Sequence, residues 1–100
     1  MDRLLDTTRT GPHYLRIPEV AQMMVDAIYY RDQREYHLHA FVVMPNHVHL
    51  LMTPLEAVSK VMQSLKRFTA REGNRMLGLT GQPFWQDESY DRLVRNATEF

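Results

Sequence analysis

The stretch from Tyr36 to Thr53 constrains the fold most. Tyr36 to Met44 and His47 to Thr53 are short tracts of aliphatic, β-branched and aromatic residues, and Pro45-Asn46 separates them. Two such tracts, two residues apart, read most simply as an antiparallel hairpin. A hairpin alone is marginal in water, so other elements must cover one of its faces. Two helical patterns flank it. Pro18 to about Gln33 places Val20, Met23, Met24, Ala27 and Ile28 on one apolar face, which Tyr29 and Tyr30 broaden. Pro18 suits the first helical position. Leu55 to about Met76 carries Val58, Val61, Met62, Leu65, Phe68 and Thr69 on one face. Thr53-Pro54-Leu55-Glu56 has the form of a capping box at its start, and Gly73 or Gly78 ends it. Phe84 to about Val94 reads as one irregular strand, and residues 1–17 as irregular. The order α-β-β-α-β suits an α+β sandwich.

The chain has 100 residues, the size of one domain, and 44% hydrophobic content. No run reaches the roughly 18 apolar residues of a spanning helix, and no secretory leader is legible. The absence of Cys excludes a disulfide scaffold or thiolate site and is compatible with the cytoplasm, the expected location. Net charge is zero, but the halves differ. Residues 1–59 hold five basic and seven acidic side chains, and residues 60–100 hold seven and five. Between 60 and 75, Lys60, Lys66, Arg67, Arg71 and Arg75 face a single Glu72. A local basic stripe bears on phosphate contact more than the total does.

His47-Val48-His49 is the chemical focus. Strand residues two apart share a face, so both imidazoles leave one side of one strand and can share a divalent ion. Two ligands do not complete a site for magnesium or zinc. His37-Leu38-His39 repeats the spacing. With a two-residue turn at Pro45-Asn46, His49 faces Val42 and Met52 faces His39, which puts the second pair on the opposite face, and these two read as structural or surface residues. Asn46 holds the turn or orients a ligand.

The string Ala40-Phe41-Val42-Val43-Met44-Pro45-Asn46-His47-Val48-His49-Leu50-Leu51 resembles the motif of the HUH single-tyrosine transposases, in particular the REP-associated tyrosine transposases. Ser64-Leu65-Lys66-Arg67-Phe68-Thr69 is similar to that family's basic helix. Gly81-Gln82-Pro83-Phe84-Trp85-Gln86 and Tyr90-Asp91-Arg92-Leu93-Val94-Arg95-Asn96 are similar to its following segments. The resemblance covers residues 36–100 in order and spacing.

The resemblance implies a ferredoxin-like antiparallel sheet with two helices. It implies a divalent metal, Mg²⁺ or Mn²⁺, held by His47 and His49 at a scissile phosphate of single-stranded or hairpin DNA. A tyrosine from a downstream helix attacks that phosphate and forms a 5′-phosphotyrosine link. Lys66, Arg67, Arg71 and Arg75 are then candidates for phosphate contact. Trp85, with Phe84, is a candidate base-stacking platform or a core anchor. Asp87, Glu88 and Asp91 are either further metal oxygens or exposed charges.

Two departures qualify the match. The family's nucleophilic tyrosine, and the Asn or Gln one helical turn later that completes its metal shell, fall beyond Phe100. Tyr90 is the substitute nucleophile within the chain, although its motif position reads as a strand residue beside the site. The family also opens with a strand, and none is legible before Pro18. Residues 18–100 therefore read as a partial domain lacking the first strand and last helix. The histidine-bearing strand, beside which the missing strand would lie, would then have an unpaired edge, which a second copy could fill as a homodimer. Two functions follow as expectations: a metal-dependent enzyme that cuts and rejoins DNA, or a non-catalytic remnant that binds single-stranded or hairpin DNA.

Overall fold

The computed structural model describes residues 3–6, 13–85 and 92–94, the first and last of these through their backbone pairing. The chain runs β1 (Arg3–Asp6), a 3-10 turn at Tyr14–Arg16, α1 (Pro18–Arg31), β2 (Tyr36–Val43), β3 (Val48–Pro54), α2 (Val58–Leu77) and β4 (Arg92–Val94). The strands form one antiparallel sheet in the order β2-β3-β1-β4. With the two helices between strands, this is the ferredoxin-like βαββαβ topology. Among the described residues no helix is long and apolar enough to cross a membrane.

The first strand corrects the reading of residues 1–17 as irregular. Arg3–Asp6 pairs with β3 on one side and β4 on the other. Four residues with two adjacent leucines are too short to show a period of two, and the strand forms because both neighbours satisfy its backbone. The edge of β3 is therefore occupied, and the premise for a homodimer through that edge falls away. Of the irregular strand expected over 84–94, Arg92–Val94 is β4.

The helices cover one sheet face. Val20, Met23, Met24, Ala27 and Ile28 of α1 and Val61, Met62 and Leu65 of α2 are buried against Val48, Leu50 and Met52 of β3. Tyr29 and Tyr30 do not extend that face, since both are exposed. Tyr29 sets its ring edge-on to Phe41, and Tyr30 lies beneath the Arg34 guanidinium. Tyr36 is fully buried, and its hydroxyl donates to the Ile28 carbonyl at 2.6 Å. Burial pushes this phenol well above its ordinary range.

The capping box does not form. Thr53 and Pro54 are claimed by β3, where they oppose His37 and Tyr36, and the Leu55 amide donates to the Glu35 carbonyl. The helix starts later, with Ala57 as its N-cap and no side-chain cap. Its end is Gly78, in the left-handed region at φ 69°. Gly73 lies inside α2, where the Phe84 ring presses on its backbone. A Cβ there would stand 2.5 Å from the ring. Phe84 is 2% exposed and stacks on Tyr14, so the ring has little room to retreat. Gly73→Ala is therefore expected to destabilise the domain by about 1–3 kcal/mol. A thermal melt followed by circular dichroism would show this as a midpoint several degrees lower, whereas an unchanged midpoint would contradict the close approach.

Candidate functional site

The tip of the β2–β3 hairpin builds the site. Pro45-Asn46 make a tight reversal closed by the Met44 amide donating to the His47 carbonyl at 2.8 Å. The preceding 3-10 turn fastens the tip, because the Leu15 amide donates to the Pro45 carbonyl at 2.9 Å and Leu15 itself is buried. His47 enters the strand and His49 sits within it, opposite Val42, as the two-residue turn predicts. The two imidazoles lie together, centroids 4.8 Å apart and planes at 85°. Both are half-buried, and His49 alternates with buried Val48 and Leu50, so it occupies the face that the helices leave uncovered.

Asn46 acts on the ligand as well as on the turn. His47 Nδ1 and Asn46 Oδ1 are 2.9 Å apart. An amide oxygen only accepts, so Nδ1–H donates, and this tautomer presents its lone pair at Nε2. A metal-binding histidine is commonly oriented in this way. Paired imidazoles with one tautomer set by an outer partner fit a divalent ion, although two nitrogens are too few for it. Among the residues whose side chains are described, no group of three or more His, Asp or Glu forms a metal cage. The sheet register adds one neighbour: Asp6 of β1 is the Cα partner of His49, and Arg92 of β4 is the partner of Asp6. Sequence reasoning missed this pairing because no local pattern marked the strand.

His37 and His39 require a correction. The register slips between Leu38 and Ala40, so Met52 faces Leu38 rather than His39. This β-bulge adds one residue to β2 and turns the second histidine pair to the same face as His49. The consecutive exposure of His39 and Ala40 marks it. His37 opposes Thr53, and His39 Nε2 is hydrogen-bonded to Thr53 Oγ1 at 2.7 Å. The second pair thus lies at the far end of β3 from His49, and no four-histidine cage forms.

The basic helix divides. Lys66 is 6% exposed and belongs to the buried side of α2, beside Thr69, not to a solvent-facing stripe. Arg67, Arg71 and Arg75 are exposed. Arg75 donates to Glu72 at 2.7 Å, and Arg71 lies 3.7 Å from the same carboxylate. These neighbours hold the Glu72 carboxyl below the usual carboxylate range, the hydrogen bond from Arg75 first. Lys60, Arg67 and Arg71, with Arg31 from α1, line a concavity of about 490 Å³. Helical spacing brings Lys60 into this row, a signal the stripe count already contained. Trp85 is half-buried, its Nε1 donates to Thr69 Oγ1 at 3.0 Å, and its ring meets Phe84 edge-on. These contacts give it the part of a core anchor. Tyr90, Asp87, Glu88 and Asp91 lie outside the described residues.

The family model for IS200-like transposases matches residues 18–97. The chain belongs to that family. No curated protein matches it. Among solved structures, a candidate transposase of Deinococcus radiodurans R1 superimposes with a TM-score of 0.74 at 23% identity, over 97% of this chain and 79% of that one. A REP-associated tyrosine transposase bound to a REP hairpin superimposes with a TM-score of 0.65 at 20% identity, over 98% of this chain and 58% of that one. The chain thus spans just under three-fifths of the length of that hairpin-bound relative. At these identities the likeness establishes the fold.

The Asn46 contact has a direct check. Nitrogen-15 NMR of the imidazoles is expected to show His47 protonated at Nδ1 at neutral to basic pH. Asn46→Ala should remove that bias with little change in the melting midpoint, while an Nε2-protonated His47 in the unaltered chain would refute the assignment.

Proposed function

We propose that this chain is the DNA-processing domain of an IS200-like transposase, binding single-stranded or hairpin DNA and placing a scissile phosphate at a divalent ion held by His47 and His49. The side-by-side imidazoles on the sheet face opposite the helices, in a chain of this family, carry the reading. The REP hairpin held by one structural relative supports DNA as the ligand. Among the candidate ions, Mg²⁺ and Mn²⁺ suit a phosphate substrate.

In this reading His47 and His49 hold the ion, with His47 oriented by Asn46. A bound ion would draw charge from the phosphate oxygens as bonds to phosphorus change. The nucleophile is a tyrosine whose hydroxyl oxygen attacks phosphorus. The bond from phosphorus to the 3′-oxygen breaks, and the phenolic proton ends on that oxygen. The resulting 5′-phosphotyrosine link keeps one phosphodiester for another, so rejoining needs no ATP. Tyr36 is unsuited to this step, being buried and donating to Ile28. Tyr90 is the tyrosine to test within the chain.

Arg67, Arg71 and Lys60 add sequence-independent attraction for the DNA backbone. Their concavity lies on the helix layer, away from the histidine face. It is suited to a flanking stem rather than the strand being cut.

A denaturing gel with end-labelled single-stranded hairpin DNA and Mn²⁺ tests the chemistry. A covalent adduct is expected to disappear in His49→Ala, and its loss in Tyr90→Phe would identify the nucleophile. Salt-sensitive binding with no adduct in the unaltered chain would favour the non-catalytic binder. Fluorescence anisotropy tests the basic surface. Arg67→Ala should weaken binding to all sequences alike and lower the slope of log affinity against log salt by about 1. Salt-insensitive binding would contradict a phosphate-contacting role.

A further inference from the structure

We propose that Tyr14 is a positioning residue for the ion site, bracing the hairpin tip that carries Asn46 and His47 against α2. The inference rests on the metal reading given above and concerns residues outside the ligand pair. It starts from a difference between the two histidines. His49 lies within β3, opposite Val42, and the sheet fixes its backbone. His47 precedes Val48, which with Val43 makes the last pair of the β2–β3 ladder. The ladder therefore does not set the place of His47. A shared ion needs both rings held to within a fraction of an ångström.

The 3-10 turn at Tyr14–Arg16 supplies that support. The Leu15 amide donates to the Pro45 carbonyl at 2.9 Å. This carbonyl belongs to the peptide unit that enters Asn46, and Asn46 Oδ1 accepts from His47 Nδ1 at 2.9 Å. One backbone bond thus sets the residue that orients the ring. The turn is held in its own right on two sides. The Leu15 side chain is buried in the core, and the Tyr14 ring stacks on Phe84 with centroids 5.5 Å apart and planes at 23°. Phe84 rests on the bare backbone of Gly73 in α2 and meets Trp85 edge-on at 5.2 Å. Trp85 Nε1 donates to Thr69 of the same helix. Leu15 alone would let the turn roll about one buried side chain, and the Tyr14 stack blocks that roll. Close-packed rings transmit displacement rather than absorb it. The Phe84-Trp85 segment thereby serves the ion site without touching it, through Tyr14, Leu15 and Pro45.

The test uses the full chain without DNA and has two readouts. Mn²⁺ affinity is measured by calorimetry, and the imidazole signals of the metal-free protein by nitrogen-15 NMR. Tyr14→Ala should weaken Mn²⁺ binding about tenfold, the lower end of the loss seen for outer partners of metal ligands. It should also shift the His47 nitrogen signals and leave those of His39, bonded to Thr53 at the far end of β3, in place. The stack requires the ring and not the hydroxyl, so Tyr14→Phe should match the unaltered chain in both readouts. A lowered melting midpoint in Tyr14→Ala with either readout unchanged makes Tyr14 merely structural and overturns the proposal. So does a Tyr14→Phe variant that behaves like Tyr14→Ala. Binding abolished by His49→Ala but not weakened by Tyr14→Ala overturns the role of Tyr14 and leaves the histidine site standing. Binding undiminished in His49→Ala defeats the histidine site and the proposal with it. If Tyr14→Ala fails to fold, Tyr14→Leu, which keeps apolar bulk but removes the stack, takes its place with the same expected losses.

Discussion

The pairing of β1 with β3 holds the rest of the sheet in place. β1 forms the seam between the hairpin and β4, with Arg3 to Asp6 opposite Met52 to His49 and Leu4 to Asp6 opposite Val94 to Arg92. Without it, β3 would be an edge strand and β4 would have no partner in this sheet. With it, the histidine-bearing strand becomes interior. Its backbone is satisfied on both sides, and its motion is limited to that of the sheet. A metal site benefits from such rigid support, because ligand geometry has to be maintained to within a fraction of an ångström.

A second constraint organises the opposite layer. Arg31, at the end of α1, is 7% exposed. Its guanidinium donates to the Ala27 carbonyl and to Ser64 Oγ, and it lies 3.6 Å from Glu35 and over the Phe68 ring. Ser64 Oγ in turn donates to Glu35 at 2.9 Å. A buried ion pair adds little net stability, because desolvating the charges offsets much of their attraction. Removing one partner is costly, however, so the network holds α1 and α2 in one relative setting. It also places a buried cation at the wall of the concavity lined by Lys60, Arg67 and Arg71. Helix packing and the basic surface therefore share a residue.

Much of the fold was legible locally. The buried faces of both helices follow from apolar spacing, and the two-residue turn at Pro45-Asn46 correctly sets Val42 opposite His49. Failures arose where a distant partner overrode a local signal. Thr53 had the chemistry of a cap but was taken by pairing with β2. Lys66 read as a basic surface residue but lies on the buried side of α2. The face of His37 and His39 depended on a bulge between Leu38 and Ala40 that strict alternation does not reveal. The short segment Arg-Leu-Leu-Asp gave no periodic signal, although its neighbours make it a central strand.

The sequence by itself determined the helices, the hairpin, the placement of two imidazoles two residues apart on one strand, and the resemblance to the transposases. These depend on the repeat of the backbone and on short contiguous strings, which carry their meaning locally. Only the tertiary structure decided what stands beside those imidazoles. It put β1 in the middle of the sheet, Asp6 at the register of His49, and Lys66 on the buried side of its helix. The reason is physical. Strand pairing and burial are set by contacts between segments far apart in the chain, and a four-residue strand has too little pattern of its own to specify them.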